Sequence, residues 1–238
     1  MARQSFSINF LLFFFCLCAF LDTAMLANPY PDSPTVYYVE TTEADFGVRM
    51  SYDPVKDKAL NVIIAYDTLT TSASTFFTTQ ITAKLIDDFT KCNVIAWNFS
   101  PCTTTKISTG ATLSCPKGVD QCRYDQVHGC LDDAFNWHQD TMGKFVVCTY
   151  TAGKSCEDCN NQEGGLFPED MKACITRGSG AGSCNASYND FQNAKKKPKT
   201  QTEIDNSANL PNAITDFKKS TCAMLAKINL KCDAVCST

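Results

Sequence analysis

The sequence predicts an α/β domain, and three observations carry that prediction. A β-branched run, Asn61-Val62-Ile63-Ile64-Ala65-Tyr66, has the composition of a buried strand. Phe77, Ile81, Leu85, Ile86 and Phe89 then recur at helical spacing, with Thr70, Thr71 or Ser72 available to cap the helix start. A second buried-type run, Asn93-Val94-Ile95-Ala96-Trp97, follows. Strand, helix and strand in so short a span make a βαβ unit with parallel strands and a right-handed crossover.

The segments before this unit read differently. Arg3 and the apolar run Ile8–Phe20 predict a secretory signal over residues 1–27, since thirteen residues are too few to span a bilayer. Residues 28–59 are polar and Pro-rich at their start and predict an N-terminal arm with no core pattern. The domain itself is expected over 60–238, one unit with an insertion rather than two domains.

After the βαβ unit, about residues 101–195 predict a helical, cysteine-rich insertion. Lys144–Thr149 reads as a helix end or short strand, and Pro168, Glu169 and Asp170 open a helix. Thr200–Ile204 reads as a strand, with Asp205-Asn206 as turn chemistry. Residues 211–230 predict a closing amphipathic helix (Ile214, Phe217, Cys222, Leu225, Ile228). Together these elements make a thioredoxin-like layout.

The 15 cysteines set the compartment. Loss of the leader removes Cys16 and Cys18 and leaves an odd number, so at least one thiol is free or pairs with another molecule. A secretory leader before so many cysteines points to an oxidising compartment and structural disulfides. The candidates are Cys92, Cys102, Cys115, Cys122, Cys130, Cys148, Cys156, Cys159, Cys174, Cys184, Cys222, Cys232 and Cys236, with connectivity open. Asn98-Phe99-Ser100 and Asn185-Ala186-Ser187 are glycosylation sequons, in keeping with a secreted glycoprotein. A net charge of −4 gives no general affinity for nucleic acid, and no segment beyond the leader predicts a membrane span. Secretion is the expectation, with lysosomal delivery open.

The most specific motif is Cys115-x2-Gly118-x3-Cys122-x7-Cys130. It resembles the cassette C-Q-H-G-x2-E-C-x2-N-x4-C of the gamma-interferon-inducible lysosomal thiol reductase family. Pro116 and Lys117 replace the Gln-His pair, Gln121 stands at the Glu position and Asp125 at the Asn position. The resemblance runs from about Leu60 to Cys236 and implies a redox Cys-x-x-Cys between the first strand and its helix. There a thiolate would be stabilised by free N–H groups and the helix dipole, and would attack a substrate disulfide. In this chain the segment reads Thr70-Thr71-Ser72-Ala73, so Thr70 and Ala73 occupy the positions of the two redox cysteines. A hydroxyl does not ionise near neutral pH, and alanine resolves nothing. Gln201 stands where the family's layout implies a cis-proline. Secreted insect relatives are similar in having a degenerate site.

Cys156-Glu157-Asp158-Cys159 is a second Cys-x-x-Cys, read as loop cysteines in structural disulfides. Its two acids disfavour a thiolate. A zinc site drawing on Cys156, Cys159, His128 or His138 is not expected, because only one close cysteine pair is present. Lys195, Lys196, Lys197 and Lys199 form a basic run whose plain reading is a solvated loop, and whose sharper reading is contact with a sulfated glycan. Trp97 and Trp137 are expected in the core, His128 is expected packed or solvent-facing rather than catalytic, and His138 is similarly unremarkable.

The resulting expectation is a secreted protein of this family without thiol reductase activity. It would need no cofactor or metal, and would bind a protein, cell or pathogen surface as a monomer or disulfide-linked dimer. The alternative is a working oxidoreductase using Cys156 and Cys159, or the unpaired cysteine.

Overall fold

The computed structural model describes residues 37–107, 113–135, 138–151, 154–196 and 210–237. The expected leader, the Thr200–Ile204 strand with its turn, Trp137, Gln201, Lys197 and Lys199 lie outside the described residues.

A four-stranded sheet runs in the order β1 (Tyr37–Thr42), β2 (Phe46–Tyr52), β3 (Leu60–Tyr66), β4 (Ile95–Pro101). The predicted parallel pair is β3 with β4, in register from Leu60 opposite Ile95 to Tyr66 opposite Pro101. The patternless arm expected over 28–59 is corrected: β1 and β2 form an antiparallel hairpin, and β2 pairs antiparallel with β3. Phe46, Val48 and Met50 alternate along β2 and are fully buried, the period of a strand with one face on the core. The Pro-rich start of the segment obscured that alternation.

Between β3 and β4 the expected single helix is two, α1 (Thr71–Thr79) and α2 (Ala83–Lys91). Thr82 causes the break, since its side chain accepts from the Leu85 N–H and starts a new helix. Ile81 still reaches the core from between them. The core is aromatic: Phe46 packs on Phe76 and Phe77, Tyr66 on Phe77, and Phe217 against both Phe76 and Trp97.

A two-stranded ribbon, β5 (Lys106–Ile107) with β6 (Leu113–Ser114), opens the insertion. Five helices follow: α3 (Val119–Ala134), α4 (Gln139–Thr149), α5 (Cys156–Gln162), α6 (Pro168–Arg177) and α7 (Ser179–Lys196). Lys144–Thr149 is therefore the end of α4 rather than a strand. α3 and α7 touch backbone to backbone, because a Cβ on Gly129 would stand 2.4 Å from the Gly180 carbonyl oxygen. The closing helix α8 (Phe217–Lys227) begins six residues later than expected, after turns over 213–215, and a short α9 (Asp233–Cys236) ends the chain. The result is a thioredoxin-like α/β fold with a disulfide-rich helical insertion.

Candidate functional site

β3 delivers the chain to the N-terminus of α1 through Asp67-Thr68-Leu69, where the first free N–H groups of a helix meet whatever precedes them. Thr70 caps this helix. Its hydroxyl accepts the Ala73 N–H at 3.3 Å and donates to the Asp67 carbonyl at 3.1 Å. Both uses of the hydroxyl are taken, and Thr70 and Ala73 are 2 % and 0 % exposed. The two positions expected to replace a redox pair are thus buried in a helix cap without sulfur, while Thr71 between them is exposed.

Beneath it lies a buried polar cluster that sequence reasoning missed. Asp67 accepts the Thr104 N–H and hydroxyl. Asp125, on α3, accepts from Thr68 twice and from the Thr105 hydroxyl at 2.5 Å. Both carboxyls are fully buried. Burial first, and then Asp67, push Asp125 up to about 6; burial likewise raises Asp67. The cassette's Asn position thus holds a carboxyl that bolts α3 to the loops following β3 and β4. His128 is packed, the first of its two expected placements. Its Nδ1 sits 3.0 Å from the Tyr66 hydroxyl inside the core, where burial lowers it to about 3.

The cassette cysteines divide between two bridges. Cys115–Cys122 closes a short ring at the start of α3, and Cys130–Cys174 ties α3 to α6. Gly118 stands before α3 with φ 90°, a conformation natural to glycine. Gln121 accepts the Lys117 N–H at 2.8 Å, and the Lys117 ammonium donates to the Leu69 carbonyl at 2.9 Å, so the cassette braces the loop before Thr70. The remaining bridges are Cys92–Cys232, Cys102–Cys184, Cys148–Cys159 and Cys222–Cys236.

Among the described residues Cys156 is the free thiol, which corrects its expected place in a disulfide. The Cys-x-x-Cys is not in a loop but opens α5, where Ser155 and Asp158 form a reciprocal cap. Cys159 is buried and bonded to Cys148 on α4, leaving Cys156 three residues earlier beside a groove. Burial pushes its thiol up to about 11, only partly offset by Arg123.

That groove, of about 740 Å³, is lined by Leu69, by Asp120, Arg123, Tyr124 and Val127 of α3, and by residues of α5 and α6. It adjoins the Thr70 cap through Leu69, whose φ of 57° is unusual for a branched residue.

The remaining expected sites scatter. Asn98 is exposed on β4, whereas Asn185 lies half-buried within α7. Lys195 donates to the Ala44 carbonyl and lies over the Phe191 ring, so it is not a free member of a basic run. Trp97 is buried, and His138 stands at the start of α4 with no capping bond from its side chain. Among the described residues, no three His, Cys, Asp or Glu side chains stand together as metal ligands, and no helix is long and apolar enough to cross a membrane.

No curated protein matches the chain closely enough to be counted a relative. Residues 61–176 match the family model described as gamma interferon inducible lysosomal thiol reductase. That span runs from β3 through the Thr70 cap and the cassette to Cys174, so it contains the cap, the buried carboxyls and the groove lining. The chain belongs to the gamma interferon inducible lysosomal thiol reductase (GILT) family.

Proposed function

We propose that this chain is a secreted GILT-family scaffold that has lost thiol reductase activity and acts by recognition, binding a protein, cell or pathogen surface. One observation carries the reading: the Thr70 hydroxyl, buried and hydrogen-bonded on both sides, stands at the helix start where the family's chemistry needs a thiolate. A hydroxyl there stabilises the helix, but cannot enter a mixed disulfide. The six bridges around it supply a rigid body for an oxidising environment.

The test is reduction of a disulfide substrate by the purified protein, at acid and neutral pH, with a thiol donor. The expected rate equals that of the donor alone. Turnover above that baseline removes the proposal.

A second reading has its own observation. Cys156 is an unpaired thiol beside the groove, and could attack a disulfide there. The Cys156/Cys159 pair does not serve, because Cys159 is bonded to Cys148. Turnover that disappears in Cys156→Ser would establish this reading in place of the first.

A further inference from the structure

Of the five large apolar side chains exposed among the described residues, two line the groove and two more adjoin its lining residues in sequence. Leu69 (46 % exposed) and Tyr124 (39 %) line it, Val119 precedes the lining residue Asp120, and Phe167 precedes the lining residue Pro168. The fifth, Val55, belongs to the connection between β2 and β3. Scattered exposed apolar residues need no explanation, whereas a cluster at a concave site does. Val127, Met171 and Ile175 continue the apolar wall inward.

Leu69 adds an independent argument. A leucine at φ 57° costs backbone energy that glycine or asparagine would avoid. The Lys117 ammonium on its carbonyl holds the loop in place, and the outcome is an apolar side chain presented to the groove. Backbone strain maintained by surrounding contacts is characteristic of binding sites.

Length and charge select the occupant. The α3 wall from Asp120 to Val127 and the α6 wall from Pro168 to Ile175 each run about 10 Å at 1.5 Å per residue. That length takes about three residues of extended chain. Asp120 and Glu157 line the groove against the single cation Arg123, and none of the three is held in an ion pair among the described residues. A second copy, itself at net charge −4, would bring acid to acid. We infer that the groove between α3, α5 and α6 receives an extended segment of a partner protein, seating an apolar side chain beside Leu69 and Tyr124 with a lysine or arginine next to it. This rests on the recognition reading and names the surface and the partner's chemistry.

The probe is a capped synthetic hexapeptide alternating leucine and lysine, titrated against the full chain, with a leucine–glutamate peptide as its counterpart. The lysine peptide is expected to bind at least ten-fold more tightly. At saturation it should slow iodoacetamide labelling of Cys156 at least five-fold. Tyr124→Ala and Asp120→Asn should each weaken binding several-fold.

Leu69→Gly separates recognition from folding. It should leave the melting temperature equal or higher, because the strain is released, and should weaken binding about ten-fold. Equal affinity for both peptides, unprotected Cys156, or unchanged binding by Leu69→Gly and Tyr124→Ala would each overturn the inference. So would a concentration-dependent dimer dispersed by Leu69→Gly, which would make the occupant a second copy. Disulfide turnover is measured separately, so the groove can fail while the recognition reading stands, and the reverse.

Discussion

Thr68 and Asp125, 57 positions apart, are joined twice: the Thr68 N–H (3.1 Å) and hydroxyl (2.5 Å) both donate to one carboxyl oxygen of Asp125. The loop that leads to the Thr70 cap is thereby fastened to the middle of the cassette helix. The fastener is titratable, and so is its neighbour in the core.

Asp125 and His128 should drive stability in opposite directions with pH. The Asp125 carboxyl is raised in the fold, so its contribution is fully present below its unfolded value of about 4 and is lost as pH rises through about 6. The His128 imidazole is lowered, so its contribution is present above about 6.5 and is lost as pH falls towards 3. Urea unfolding at several pH values checks both. Relative to the parent, Asp125→Asn should gain about 3 kcal/mol between pH 4 and pH 7.5. His128→Gln should gain a similar amount in the reverse direction. Matching pH dependence in parent and both variants would contradict the buried geometry.

The bridges should differ in worth by the loop each closes. With the other bridges intact, removing Cys92–Cys232 opens a covalent loop of roughly 50 residues by the shortest route, about 4 kcal/mol by chain entropy. Removing Cys115–Cys122, a loop of about eight residues, should cost about 2.5 kcal/mol on the same basis. Paired Cys→Ala variants compared by denaturant midpoint test the order. A larger loss for the short loop would mean native contacts, not chain entropy, set the value.

One thiol should react in the native, unreduced protein. In protein freed of the expected leader, iodoacetamide should label Cys156 alone, to one equivalent, with a rate that keeps climbing above pH 9 because burial holds the thiol up near 11. Peptide mapping identifies the labelled site. A second labelled cysteine, or a plateau near pH 8, would contradict the pairing or the buried environment.

The contact between α3 and α7 should tolerate no side chain. A Cβ on Gly129 would stand 2.4 Å from the Gly180 carbonyl oxygen, and one on Gly180 would meet the Gln126 carbonyl at the same distance. Neither obstacle is a flexible side-chain end, so the helices must separate. Gly129→Ala should cost about 1–3 kcal/mol, despite alanine's better helix propensity. Gly182→Ala, with open space at its Cβ, should be neutral or stabilising on the same α7.

Much of the scaffold was legible because periodicity and cap chemistry are local. The runs that became β3 and β4 showed their buried composition, and Thr70 was among the residues able to cap α1. The β1–β2 hairpin was missed because its pattern, Phe46, Val48 and Met50, is only three residues long and follows a polar stretch. Which cysteine stays unpaired was not legible either. It depends on α5 delivering Cys159 to Cys148, a contact between helices that spacing does not encode. Asp125 was visible as a departure from the family cassette, but its burial beside Asp67 arises from how loops converge. The groove was invisible for the same reason, since Leu69, Tyr124, Cys156 and Met171 come from four separate segments.

The six bridges also expose the chain to the chemistry its family is named for. A fold with twelve cysteines in bridges persists only while its surroundings leave those bonds alone. Wherever a thiol reductase works with its electron donor, these bridges are themselves disulfides that a thiolate can attack. Each bridge opened there removes one of the cross-links that tie the helices and the chain's end to the rest of the fold.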